Sequence, residues 1–326
     1  MMKAMVVVLA GCLLGGTAQA QESAGVYPSR PVTFVVPFAP GGSTGLIARI
    51  IGQKLEQRLG KPFIIDHRAG GGGVIGVTQV AHGTPDGYTI MMASSTALAI
   101  NPNVRKSLPY DPRKDITPIA LIARMPYVLV VNPDLPVHSV ADLVKLARDK
   151  PGQLSFASVG PGTIHHLNAE MFKSIFGLEI VHVPYKGTAP ALQDVVGGHV
   201  QFMFSDAPPA KALIESGKVR ALGVTTLERV PALPDAPPLA EVGMPGFSTA
   251  SWHSISTAAG VPKDIVDKLA NEIRAVMSED DVKKLLSDEG AIPQVSPPPE
   301  EFKKFVDGEI VRWGGLVEKA GILHSQ

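Results

Sequence analysis

Val32-Thr33-Phe34-Val35-Val36 hands over, through Pro37-Phe38-Ala39-Pro40-Gly41-Gly42-Ser43-Thr44, to Leu46, Ile47, Ile50, Ile51, Leu55 and Leu59. The leading residues are β-branched or aromatic, and the later apolar residues recur at the spacing of one helical face. The stretch therefore reads as strand, glycine-rich turn and helix. The first N–H groups of a helix have no internal partner and carry the positive end of its dipole, so glycine, serine and threonine there let an anion approach the backbone. The arrangement repeats at Leu154-Ser155-Phe156-Ala157, Ser158-Val159-Gly160-Pro161-Gly162-Thr163 and the helical pattern that starts at His166. Each dipole contributes only about 0.3–1 kcal/mol. Two of them facing one pocket suit a ligand with a carboxylate at each end.

Outward from these turns, strand-like and helix-like runs alternate, the pattern of open parallel α/β sheets. Strands are expected over 63–65 and 88–92, and a helix over 74–81. A long strand over 125–131 is followed by helix 140–148, strand 154–157, helix 166–176, strand 180–183, helix 189–197 and strand 200–204, and then by a second long strand over 219–225. A proline-rich loop, a strand over 254–258 and helices over 263–277, 280–289 and 299–320 complete the chain. A self-contained run bounded by two long strands predicts two α/β lobes joined by a two-crossing hinge. Lobe 1 takes residues 27–124 plus 226–326 and lobe 2 takes 125–225, with ligand held between them.

Lys3, the apolar stretch 4–16 and Ala18-Gln19-Ala20 form the pattern of a cleaved signal peptide over 1–20, which predicts export to the periplasm. Leu9-Ala10-Gly11-Cys12 resembles a lipobox, and the alternative is lipid anchoring at Cys12. Cys12 is the only cysteine, so a chain cut after Ala20 has no disulfide and no thiolate metal site. Thirty basic residues balance thirty acidic ones, which argues against nucleic acid as a partner. No phosphate-binding Gly-x-x-x-x-Gly-Lys-Ser/Thr segment is present, and no cofactor or metal is expected. A nucleophilic enzyme is the rival class. Gly41-Gly42-Ser43-Thr44-Gly45 matches Gly-x-Ser-x-Gly at a strand-to-helix turn, and Asp206 and His253 follow in the order of a serine hydrolase.

Tyr27-Pro28-Ser29-Arg30-Pro31, Pro37-Phe38-Ala39-Pro40-Gly41-Gly42, Arg68-Ala69-Gly70-Gly71-Gly72-Gly73, Pro85-Asp86-Gly87-Tyr88-Thr89, Val183-Pro184-Tyr185-Lys186-Gly187-Thr188-Ala189-Pro190-Ala191 and Leu233-Pro234-Asp235 resemble, in this order, the Bug family of periplasmic solute-binding subunits of tripartite tricarboxylate transporters. The resemblance covers residues 27–323. It implies a periplasmic binding protein-like fold of type II, no enzymatic activity, and a monomer that closes over a small carboxylate and delivers it to a membrane permease. A sensing role without a dedicated permease is the alternative within the family.

Position by position, the resemblance places Phe38, Gly42, Ser43, Thr44 and Gly45 in the first carboxylate-binding loop and Gly162, Thr163, His165 and His166 in or beside the second. Ser94 and Ser95 fall at a strand end facing the cleft, and Asp206 at the acidic or amide position after strand 200–204. Gly45 stands where the family usually has an aspartate, which argues against an amino-acid ligand and for something larger. His165 and His253 make the pocket more basic or better at stacking on a flat ring, so an aromatic dicarboxylate is expected over an aliphatic one. Lys186 is expected at the rim.

Overall fold

The computed structural model describes residues 24–326. The signal-peptide and Cys12 readings lie outside the described residues. The chain runs through β1 (Val32–Val36), α1 (Ser43–Leu59), β2 (Phe63–His67), α2 (Val74–Ala81), β3 (Thr89–Ser94), a helical turn at Thr96–Ile100 continued by α3 (Asn101–Val104), and β4 (Ile116–Val131). Next come α4 (Val140–Asp149), β5 (Ser155–Ser158), α5 (Ile164–Phe176), β6 (Val181–Pro184), α6 (Thr188–Val196), β7 (Phe202–Asp206), α7 (Ala207–Glu215) and β8 (Arg220–Val224). β9 (Ala250–Ala258), α8 (Lys263–Ser278), α9 (Asp280–Asp288), β10 (Ile292–Pro293) and α10 (Pro299–Lys319) return to the first half.

Two sheets share one strand. In the first, β1 lies between β2 and β3 in parallel, Val32 opposite Phe63 and Thr33 opposite Thr89. β9 then pairs antiparallel with both β3 and the first part of β4, from Ile116 opposite Ala258 to Pro126 opposite Ala250. One residue later β4 enters the second sheet, with Tyr127 opposite Asp206 of β7, while β8 pairs along its other edge and β5 joins β7 to β6 in parallel. The sheets are thus mixed rather than wholly parallel as the alternation alone suggested.

Each sheet has its own apolar core. Phe34, Ile47, Ile51, Leu55, Ile90 and Trp313 belong to the first, and Phe156, Phe172, Phe202 and Phe204 to the second. The segment after Thr225, expected to go with lobe 1, packs on the second sheet instead. Leu239, Met244 and Phe247 join the cluster around Phe204, and Val230, Leu233 and Ala236 join the one around Val224. The return crossing consequently falls at Thr249 and Ala250. There the Thr225 hydroxyl donates to the Thr249 carbonyl at 2.7 Å and accepts the Tyr127 N–H at 3.1 Å, tying the two crossings together.

Proline accounts for the elements that periodicity did not show. Pro208 and Pro209 obscure α7, yet they occupy its first turn, where backbone N–H groups have no intrahelical use. Pro118 and Pro126 break the alternation of early β4; a register shift directly follows Pro118, and Pro126 stands at the last pair with β9, where the strand changes partner.

A buried acid ties α10 to β9, beside the edge-on contacts of the Trp252 ring with Phe302 and Phe305. Glu309 accepts the indole N–H of Trp252 at 2.7 Å and that of Trp313 at 3.0 Å, with Arg312 closing the outer side. Glu309→Leu leaves two buried indole donors unpaired and should cost roughly 2–5 kcal/mol. Urea unfolding followed by tryptophan fluorescence checks this, and an unchanged midpoint refutes it.

Candidate functional site

Where β4 passes between the sheets, the first turns of α1, α5 and α6 and the ends of β3, β7 and β9 enclose a cavity of about 20 Å³, room for about a single water. Phe38, Gly42, Ser43, Thr44, Ser94 and His253 line it from the first half of the molecule. His165, Thr188, Asp206 and Val159 line it from the second, with Tyr127, Thr96 and Ser251 completing the wall.

Asp206 is the charged centre. One carboxylate oxygen accepts the Ser43 backbone N–H, at the start of α1, at 3.0 Å. The other accepts the Thr188 hydroxyl at 2.9 Å and lies 3.1 Å from His165 Nε2. Burial alone would push this carboxyl upward. The hydrogen bond and field of His165, followed by the contacts with Ser43, outweigh it and hold the group well below the usual carboxylate range. His253 behaves differently: its Nε2 lies 3.2 Å from the Thr44 hydroxyl, and burial pushes it down to about 4 despite the pull of Asp206. Tyr127 sits edge-on to His165 and is driven well above its ordinary value, first by burial and then by Asp206. Three buried polar atoms of the wall have no hydrogen-bond partner: Ser94 Oγ, His165 Nδ1 and His253 Nδ1.

Of the residues singled out in the sequence, Phe38, Gly42, Ser43, Thr44, Ser94, His165 and Asp206 come together on this cavity. Five do not line it. Gly45 faces β2, where an added Cβ would stand 3.0 Å from the His67 ring, so the missing aspartate does not enlarge the cavity. Ser95 stands behind the wall, its hydroxyl 2.8 Å from that of Ser251. Gly162 packs on Asn101 and Val104, and Thr163 caps α5 while its hydroxyl donates to the Gly160 carbonyl at 2.7 Å. His166 turns inward to stack on His182, with ring centroids 4.3 Å apart, beside Phe156.

Sequence reasoning did not select Thr96, Tyr127, Val159, Thr188 or Ser251, and it weighed His253 for the character of the pocket and as the base of a hydrolase, not as a ligand contact. Gly187-Thr188 did carry a signal, since it is a third glycine–hydroxyl pair opening a helix. Tyr127 and Ser251 carried none, because only the pairing of strands at the crossing brings them to the wall.

The glycines also let the two halves approach. A Cβ on Gly187 would lie 2.8 Å from that of Ala39, one on Gly41 2.7 Å from that of Ala189, and one on Gly72 2.6 Å from the Pro161 carbonyl. The Ala39 N–H donates to the Lys186 carbonyl across the same seam at 3.2 Å, while the Lys186 side chain is exposed.

A hydrolase relay requires a histidine between the acid and the serine. Here His253 meets the hydroxyl of Thr44, and Asp206 meets Ser43 and His165 directly. Among the described residues no group of three metal-binding side chains occurs, and no helix is long and apolar enough to cross a membrane.

A two-sheet α/β fold joined by two crossings, with a polar cavity enclosed at the junction, defines a solute-binding protein. The family model described as the tripartite tricarboxylate transporter family receptor matches residues 47–322, and the chain belongs to that family, a family of substrate-binding proteins and not of enzymes. Rpa4515 of R. palustris, solved with adipate, is 40% identical with a TM-score of 0.87, the match covering 91% of this chain and 99% of that one. The periplasmic binding protein BugD is 34% identical at a TM-score of 0.87, covering 91% and 99%. MatC of Rhodopseudomonas palustris, with bound malate, is 33% identical at 0.84, covering 89% and 100%.

Two buried imidazoles and a half-buried one set an acid limit on stability. His166 and His182 are pushed down to about 3 and about 4, by burial first and then by neighbouring positive groups, and His253 to about 4. Below about pH 6.5 the unfolded chain takes up protons on these rings and the folded chain does not, so stability is full above pH 6.5 and falls as pH drops toward 4. Urea unfolding from pH 7.5 to 4.5 should show this decline, and His182→Gln should make it shallower. A flat profile over that range contradicts the assignment.

Proposed function

We propose that this protein captures a small dicarboxylate between its two halves in the periplasm and, as a monomer, delivers it to the membrane permease of a tripartite tricarboxylate-type transporter. The observation that carries the reading is the convergence of three helix N-termini on one enclosed cavity. Ser43 of α1, His165 of α5 and Thr188 of α6 stand in the first turns, with unpartnered Ser94 and His165 and His253 nitrogens beside them. Helix N-termini favour anions, and a buried polar atom left unpaired costs about 1–3 kcal/mol that a carboxylate or its bound water removes. The moving bodies divide at Pro126/Tyr127 and at Thr249/Ala250, and opening there admits a ligand that the closed cavity has no room for.

An aliphatic chain fits better than the aromatic ring suggested by His165 and His253. Both imidazoles are engaged, one with Asp206 and one with Thr44, and the apolar wall is limited to Phe38, Val159 and the Tyr127 ring. The similar structures with adipate and malate agree with a linear diacid. Ligand contact is assigned to the residues lining the cavity. Ser95, Gly162, Thr163 and His166 support that wall from behind.

Calorimetry and thermal shift against four- to six-carbon diacids, tricarboxylates, acidic amino acids and benzene dicarboxylates test the reading, after unfolding and refolding to strip carried ligand. One aliphatic diacid at about 100 times its Kd should add roughly 2.7 kcal/mol of stability; a response to none of the panel refutes it. Gly187→Val isolates closure. The backbone there is extended, at φ −179°, so valine strains nothing locally, but its side chain meets Ala39 across the seam. The variant should weaken ligand binding tenfold or more while the ligand-free chain still unfolds in one cooperative transition. Unchanged affinity would show that the halves need not meet.

A further inference from the structure

Charge inside the cavity is unbalanced. Its wall contains the Asp206 carboxylate and no lysine or arginine. A dicarboxylate held between the halves adds two more negative charges beside the buried Asp206 carboxylate, where like charges repel more strongly than in water. Hydroxyl donors and the positive ends of the helix dipoles orient such a ligand and offset part of the repulsion, but they bring no full compensating charge.

We propose that the protein binds its dicarboxylate together with one proton, and that His253 holds it. This rests on the carrier reading above. The titratable groups that share the cavity with His253 are Asp206 at the end of β7, His165 on α5 and Tyr127 on β4; α1, β3 and α6 contribute only Ser43, Thr44, Ser94 and Thr188. Tyr127 is already protonated. His165 Nε2 is already engaged by the Asp206 carboxylate. His253 is bonded only to the Thr44 hydroxyl, and its Nδ1 is buried without a partner. It is therefore the base whose protonation changes when carboxylates enter. In the ligand-free protein burial keeps the ring neutral, and a neighbouring dianion reverses the balance. By linkage, a ligand that raises proton affinity at His253 is itself bound more tightly as pH falls.

The test is calorimetry at pH 6.5 with adipate as probe and malate as a second. Each is titrated in two buffers of different ionisation enthalpy, so that the difference in heat counts protons. About one proton should be taken up per ligand, and affinity should rise up to about tenfold per pH unit from pH 8.5 to 6.5, a range above both carboxyl values of the diacid, so the free ligand stays largely ionised. His253→Gln should abolish both the uptake and the slope, whatever its affinity, while Asp206→Asn should retain uptake. No uptake and a flat affinity in the unaltered protein overturn the proposal. Uptake that survives His253→Gln but is lost in Asp206→Asn places the proton on Asp206 and overturns the assignment to His253. Failure of both probes and of the wider acid panel at every pH overturns the carrier reading, and this inference with it.

Discussion

A carboxylate taken out of water must be met by donors, and Asp206 draws its donors from both halves of the molecule. The Ser43 N–H comes from the first helix of one half, and the Thr188 hydroxyl and His165 ring from helices of the other. An unanswered buried charge is far costlier than an unanswered hydroxyl. The closed arrangement of the halves and the arrangement of the site are therefore one structure, because the same carboxylate is satisfied only when both are in place. Its ionisation well below the usual range is the electrostatic expression of that dependence.

β4 makes the arrangement possible. A single strand serves both sheets, and its change of partner between Pro126 and Tyr127 puts Tyr127 directly opposite Asp206. The return crossing brings β9 in beside it, so that Ser251 and His253 arrive at the same point. Tyr127, Ser251 and His253 thus each lie within a few residues of a crossing, where a change in the angle between the halves is felt first. Glu309 anchors this strand from behind by binding the Trp252 indole on the opposite face from His253. Close backbone approach completes the closure: at Gly187 and Gly41 any side chain would occupy space that the other half fills.

Much of this was legible in the chain. Val32 to Leu59 specifies strand, turn and helix by composition and period, and the helix over 74–81 was read at its observed limits. Phe38, Gly42, Ser43, Thr44, Ser94, His165 and Asp206, which the family resemblance singled out, reach the cavity because each stands close to the end of a strand or the start of a helix. His166 shows the limit of that logic. One residue along a helix is a rotation of about 100°, and the neighbour of a cavity-lining histidine instead stacks on His182 inside the second core. Gly45 shows it again, since its lack of a side chain makes room for the His67 ring and not for a ligand.

The sequence alone determined most of the elements, their order and the chemical character of the turns, since these follow from backbone preference and the period of apolar residues along a few turns of chain. Tertiary structure decided which turns face each other, where the second crossing falls and which polar groups go unpaired. Thr225 and Thr249, Tyr127 and Asp206, and Thr44 and His253 are partners separated by stretches of chain that no local preference spans. Their meeting is set by strand register and by the packing of two cores, quantities that exist only once the whole chain has folded.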